Sequence, residues 1–138
     1  MNNDAWVSLV MSIPVGILSG LYAGLIVARY QRFSDLRSKV LRIIREIDFV
    51  DEIERIAFPK RTELVELTLV ASDFFFLKHE RAGDETLRLQ SEISESLRLG
   101  SQGELDYATF DRRYSDWQKR GRRLSPNLFW ILRLWGGL

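Results

Sequence analysis

The sequence begins with an uncharged stretch, residues 5–28, that is long enough to cross a lipid bilayer. A helix of these 24 residues, rising 1.5 Å per residue, reaches about 36 Å, whereas the hydrocarbon core of a bilayer is about 30 Å thick. A secretory signal peptide is not expected, because the one charged side chain before the stretch is that of Asp4 and a basic n-region is missing. The stretch therefore predicts a transmembrane helix.

Basic side chains lie on only one side of the predicted span. The first ones after it are Arg29, Arg32, Arg37 and Lys39, and none precedes it. The positive-inside tendency therefore places residues 1–4 outside and the rest of the chain in the cytoplasm, beneath what we expect to be a bacterial inner membrane. The four cations are candidate contacts for anionic lipid headgroups or another anionic ligand. Trp6 and Tyr30 bracket the span, where interfacial aromatic residues are expected.

Small residues recur at every fourth position through the predicted span and form what we call the small-residue ridge. Its members are Ser8, Ser12, Gly16, Gly20, Gly24 and Ala28. Lipid provides little hydrophobic drive between helices, so their association depends on close backbone approach, which small residues allow. We therefore expect self-association through this ridge. The alternative is a monomeric anchor whose glycines only reflect the usual composition of membrane helices.

A mildly polar strip lies beside the ridge when the residues are placed at 100° per position. It consists of Ser8, Ser12 and Ser19. In an oligomer these hydroxyl groups would either donate interhelical hydrogen bonds or line a narrow lumen. Pro14 lacks a backbone donor and is expected to kink the helix.

Beyond the span, the hydrophobic pattern predicts helices and contains no strand pattern. Residues 29–58 are expected to form one amphipathic juxtamembrane helix, continuous with the span and ended by Pro59. Residues 59–125 are expected to form a cytoplasmic helical domain. The fold class is therefore all-α, an N-terminal single transmembrane helix followed by a small cytoplasmic helical bundle.

Two helices are predicted in the first part of that domain. The first runs over residues 62–81 and is closed by Gly83. It is apolar nearly all round, so we expect it to be the most buried helix of the bundle. Asp84 caps the second helix, which runs over residues 84–99.

A further helix, over residues 106–125, interleaves aromatic and basic side chains. Its arginines are Arg112, Arg113, Arg120, Arg122 and Arg123. Such interleaving is compatible with an anionic ligand or a nucleotide, although a regular aromatic stripe is more often core with its arginines in solvent. Specific nucleic-acid binding is not expected, because the net charge is only +1 and no phosphate-binding motif is present.

The C-terminal tail, residues 126–138, is rich in aromatic and aliphatic side chains and carries one charge. Phe129, Trp130 and Trp135 follow directly on the arginine-rich helix. This pairing suits an interfacial segment that lies on the cytoplasmic leaflet. A final helix packed on the bundle or on a neighbouring subunit is the alternative, and the sequence leaves both open.

Cysteine is absent and His79 is the single histidine. Disulfides, thiolate metal sites and a cysteine nucleophile are thereby excluded. We expect His79 on an exposed helix end, where it would complement the helix C-terminus. Enzyme activity, a cofactor and a metal site are therefore not expected.

The predicted topology leads to three hypotheses about function. The first is a homo-oligomeric pore-forming or membrane-perturbing effector, as in bacterial antiphage defence or toxin systems. The second is a non-conducting, membrane-anchored adaptor that recruits a cytosolic protein. The third is a membrane-bound sensor that binds an anionic ligand or nucleotide through the arginine-rich helix. Membrane lipids and further copies of the chain are the expected partners, together with a cytosolic protein or an anionic ligand.

Overall fold

The computed structural model describes residues 3–60 and 62–133, and the side chains of residues 3–9 and of Met11 lie outside that description. The elements in chain order are helix α1 (Asn3–Arg45), strands β1 (Val50–Glu52) and β2 (Arg55–Ala57), and helices α2 (Val65–Phe76), α3 (Glu80–Ser101), α4 (Tyr107–Arg122) and α5 (Leu128–Leu132). The described chain is thus mostly helical, which fits the all-α prediction, and it contains one short two-stranded hairpin.

Helix α1 is one uninterrupted helix of 43 residues that carries both the predicted span and the first part of the domain. At 1.5 Å per residue it is about 64 Å long. By length and composition, the part Ser12–Arg45 is long and apolar enough to cross a membrane, and none of its most apolar window is buried. Pro14 lies inside the helix without ending it. Burial begins with Phe33, about one turn beyond Arg29.

The juxtamembrane helix predicted to continue to residue 58 ends instead at Arg45, and the prediction was wrong for the residues that follow. Strands β1 and β2 pair antiparallel there. Acidic residues at positions 48, 51 and 52 would repel one another three and four positions apart on a continuing helix. In the hairpin arrangement, the Phe49 ring contacts the rings of Phe110 and Tyr114, at centroid distances of 4.8 and 5.2 Å. Tertiary packing therefore overrides the helical periodicity.

The helix predicted over residues 62–81 breaks earlier than expected, between α2 and α3. Helix α2 ends at Phe76, and Lys78 adopts a left-handed conformation with φ of 61° before α3 begins. Gly83 does not close a helix but lies within α3. A Cβ at Gly83 would come within 2.8 Å of the Phe75 ring. The glycine therefore permits the close approach of α2 and α3.

Helix α2 is buried on one face only, although its composition is apolar nearly all round. One face, with Leu67 and Phe74, is buried in the core. The opposite face leaves Val65, Leu69 and Phe76 exposed at 72%, 61% and 80%. The apolar character all round α2 therefore reflects an apolar surface as well as a core face.

Helices α1, α2, α3 and α4 together form the core of the domain. Phe33 on α1 is fully buried and meets Phe74 at a ring-centroid distance of 5.5 Å. Val40 is buried farther along α1. Phe110 and Trp117 of the predicted aromatic stripe are also buried, and their rings meet edge to face at 5.7 Å. This part of the stripe in α4 is core, so the domain is built directly on the helix that contains the predicted span.

Candidate membrane-contact site

The first half of α1 presents a continuous apolar surface. Six of its aliphatic side chains are more than half exposed: Val10, Ile13, Val15, Ile17, Leu18 and Leu21. Burying a side chain of this kind is worth about 1.5–3 kcal/mol, and no described part of the chain covers these six. A cover from outside the described chain, lipid or another helix, would remove this surface from water.

The glycines of the small-residue ridge face open space in the described structure. A Cβ added at Gly16, Gly20 or Gly24 would meet no described atom within 4 Å. Ser12 is exposed as well, whereas the side chain of Ser8 lies outside the described residues. Ala28, the last member, lines a cavity of the domain. The ridge from Ser12 to Gly24 is therefore open to another helix.

The serine strip is partly bonded within its own helix. The Ser19 hydroxyl donates to the carbonyl oxygen of Gly16 at 3.0 Å. A serine hydroxyl has one donor hydrogen and two acceptor lone pairs. In lipid Ser19 therefore needs no second helix to satisfy its hydrogen, while its oxygen stays available as an acceptor.

Helix α5 docks on α1 at the C-terminal end of the predicted span. The Tyr22 hydroxyl donates to the carbonyl oxygen of Leu132 at 2.6 Å. The Arg29 guanidinium donates to the carbonyl oxygens of Trp130 and Ile131, at 3.1 and 3.3 Å. The last carbonyl groups of a helix have no partner within it, and a cation there also complements the helix dipole. Arg29, predicted as a contact for lipid or another anion, thus serves as the C-terminal cap of α5.

The arrangement is compatible with both alternatives for the C-terminal tail, a helix packed on the domain and a segment that contacts the membrane. A helix of five residues is too short to be stable alone, and α5 is held by its contacts with α1. Its outer face nevertheless exposes Leu128, Phe129 and Leu132. Trp135 lies outside the described residues. A membrane surface that crosses α1 near Arg29 would therefore also contact the outer face of α5.

The other three predicted cations of the juxtamembrane segment lie at the surface of the protein. Arg32 and Lys39 are exposed and Arg37 is partly buried. Among the residues that the structure describes, no carboxylate pairs with any of these three side chains. Tyr30 is exposed beside them, whereas Trp6 lies among the side chains that are not described. The part of α1 that follows the apolar surface therefore carries positively charged side chains.

Two of the five candidate arginines in and just after α4 have partners within the domain. Arg120 forms salt bridges with Glu85 and Glu92 of α3, the former at 2.6 Å, and this hydrogen bonding holds its pKa above the usual range. Arg113 donates to the buried hydroxyl of Ser96 at 2.9 Å. The other candidates are exposed: Arg112, Arg122 and Arg123. Two of the five arginines therefore already have partners within the domain.

His79 is buried rather than exposed, which corrects the prediction for this residue. It is 4% exposed, and its ring meets that of Phe33 edge to face at 5.0 Å. The backbone N–H of Asn127 donates to His79 Nδ1 at 3.0 Å. Burial lowers the pKa of His79 below its ordinary value. The imidazole is therefore a structural acceptor that ties the α2–α3 turn to the segment before α5.

Comparison with known proteins gives no match: no protein family, curated protein or solved structure resembles the chain at a significant level. Within the described residues, no group of three or more His, Asp or Glu side chains is arranged to hold a metal ion. The proposed function therefore depends on the geometry of the chain itself.

Proposed function

We propose that this chain is a single-pass membrane protein that assembles through α1 and permeabilises the bilayer. In this proposal residues 1–4 lie outside and the helical domain lies in the cytoplasm of a bacterial cell. One observation carries it: the apolar half of α1 is long enough to cross a membrane, and none of its most apolar window is covered by the described chain. Lipid is the environment that removes such a surface from water.

The open ridge supports assembly of several copies. A Cβ added at Gly16, Gly20 or Gly24 would meet no described atom within 4 Å, so a second α1 would approach them without displacing a side chain. Close packing of this kind is the main source of helix association in lipid. The ridge therefore supplies the contact on which the assembly depends.

Two features support permeabilisation rather than simple anchoring. The first is the serine strip, whose Ser19 oxygen remains an acceptor for water or for a neighbouring helix. The second is the continuity of α1, which joins the span to the core residue Phe33 without a flexible linker. A rearrangement of the domain would therefore move the span with it.

The adaptor hypothesis has support from a different surface. Val65, Leu69 and Phe76 form an exposed apolar face on α2, away from the core. Exposed apolar patches on a domain are typical of protein interaction sites. A Leu69→Lys variant that assembles normally but no longer binds a cytosolic partner would favour the adaptor. The sensor hypothesis has less support, because Arg113 and Arg120 are engaged within the domain.

Vesicle reconstitution of the full chain tests the main proposal. We expect the inserted protein to form an oligomer in nanodisc mass measurements and to release a trapped dye from vesicles. Gly20→Ile places a branched side chain on the ridge and should reduce both. Leu18→Phe is the matched control, because it adds bulk about 160° away on the helix and should leave both unchanged.

Two results would contradict the proposal. Vesicles that stay sealed around inserted, assembled protein would rule out permeabilisation and leave the adaptor. Equal loss of assembly in Gly20→Ile and Leu18→Phe would show that the ridge is not the contact surface.

A further inference from the structure

A cavity of about 400 Å³ lies where α1, α5 and the α2–α3 turn meet. Its apolar wall includes Leu25 from α1, Phe76 from the end of α2 and Ile131 from α5. Arg32 and Lys78 also line it, and none of its lining residues is acidic. The cavity therefore combines an apolar wall with positive charge.

The apolar and the charged parts of this cavity follow one another along α1. Leu25 belongs to the predicted span, and Arg32 lies seven residues farther toward the domain, which is about 10 Å along a helix. A phospholipid has the same order, with its acyl chains toward the span and its phosphate toward the domain. The direction of the cavity thus matches the direction of a lipid in the adjoining leaflet.

The charge of the cavity is not neutralised within the described chain. No described carboxylate forms a salt bridge with Arg32 or Lys78. Both residues are exposed, and the side chain of Phe76 beside Lys78 is also mostly exposed. An apolar rim that adjoins two such cations fits an anionic amphiphile better than a neutral one.

We propose that this cavity binds one anionic phospholipid, with its phosphate between Arg32 and Lys78 and an acyl chain along Leu25 and Phe76. This inference rests on the proposed membrane location but not on permeabilisation. The bound lipid fills the gap between α5 and the α2–α3 turn, so it adds a further contact between the tail and the domain. Phosphatidylglycerol is the probe. Its phosphate supplies the single negative charge for the two cations, and its acyl chains supply the apolar group for the cavity wall.

Native mass spectrometry of the full chain in a non-ionic detergent tests the inference independently of any pore. We expect one phosphatidylglycerol retained per chain and weaker retention of phosphatidylcholine. The double variant Arg32→Gln, Lys78→Gln should weaken phosphatidylglycerol binding by roughly 10- to 30-fold, since each cation near a lipid surface is worth about 1 kcal/mol. The control Arg112→Gln, Lys119→Gln removes two exposed cations of α4 and should bind as the unchanged chain does.

The acyl-chain contact has its own variant. Phe76→Ala removes an exposed ring, so the fold should persist while phosphatidylglycerol dissociates more readily. Unchanged retention in this variant would overturn the acyl-chain placement. Equal weakening in the two double variants, or equal retention of the two lipids, would overturn the site. Displacement of the lipid by soluble glycerol phosphate would identify a free phosphate ligand instead and overturn the lipid assignment.

Discussion

Asn127 and His79 are joined by a hydrogen bond of 3.0 Å in which the Asn127 backbone N–H donates to Nδ1 of the ring. The two residues are 48 positions apart, and the bond fixes the start of α5 against the α2–α3 turn. Nδ1 accepts only while it carries no proton, so this contact depends on the neutral imidazole.

Lower pH should therefore destabilise the domain. The pKa of His79 is lowered in the folded chain by burial, so the unfolded chain binds more protons and stability rises with pH. The free energy of unfolding should fall as the pH decreases from about 6.5, the unfolded value, through the lower folded value. The charged residues that line the adjoining cavity are Arg29, Arg32 and Lys78, all cations.

Urea titrations at several pH values measure the free energy of unfolding. In the His79→Gln variant this free energy should depend less on pH, and the same pH dependence in the variant as in the unchanged chain would contradict the prediction.

Removing the Arg29 cap should release α5 from α1. Arg29→Gln takes away the charged donor to the Trp130 and Ile131 carbonyl groups, and hydrogen bonds of this kind contribute about 1.5–3 kcal/mol. Hydrogen exchange in α5 should therefore accelerate by roughly tenfold or more. Arg32→Gln is the control and should leave exchange in α5 unchanged in lipid-free detergent. Identical exchange in both variants would show that Arg29 does not hold the tail.

Arg120 should stabilise the domain more than its exposed neighbours do. Arg120→Leu leaves Glu85 and Glu92 without their charge-assisted hydrogen bonds, and we expect a loss of about 1–2 kcal/mol after allowing for solvent screening. Arg123→Leu changes an exposed side chain and should cost less than about 0.5 kcal/mol. Thermal unfolding of the two variants checks the difference, and equal stabilities would argue against a structural role for Arg120.

A substitution at Gly103 should destabilise the loop before α4. Gly103 has a φ of 74°, and an added Cβ would clash with the carbonyl oxygen of Glu54 in the hairpin. Left-handed backbone costs a non-glycine residue about 1–2 kcal/mol, and the clash adds to it. Gly103→Ala should therefore lower the free energy of unfolding by about 2 kcal/mol or more. Gln102→Ala, next to it in ordinary helical conformation, should have a small effect; similar losses in both would refute the argument.

The orientation of the chain is accessible through single cysteines, because the sequence has none of its own. Asn2→Cys should react with an impermeant thiol reagent in intact cells. Ile53→Cys, at the 95% exposed tip of the hairpin, should react only after the membrane is opened. The reverse pattern would invert the topology, and labelling of both in intact cells would argue against a spanning helix.

The sequence predicted those parts of the fold that depend on residues close together in the chain. The continuity of α1 from the predicted span into the domain follows from local composition, and the burial of Phe110 and Trp117 follows from their spacing on one helix. The hairpin did not follow, because Phe49 finds its ring partners about 60 residues later in α4. Local pattern carries no information on such pairings.

At the candidate site, too, the sequence predicted local features but not the contacts between residues far apart in the chain. The exposed apolar face of α1 was visible in the sequence, whereas the acceptors of Arg29 lie about 100 residues away on α5. His79 was misplaced because neighbouring charged residues indicated an exposed helix end. Its donor, Asn127, has no signature that connects it to a histidine on another element.

The unbroken course of α1 also determines how domains would be arranged around an assembly. Counting 100° per residue from Gly20, the buried face that holds Phe33, Val40 and Ile44 lies about 200–240° around the helix, nearly opposite the glycines. With no joint between them, turning the glycines toward a common axis turns every domain away from it. In such an assembly the domains would lie on the outside, away from the common axis. The space around the axis at that end of the helices would stay unobstructed.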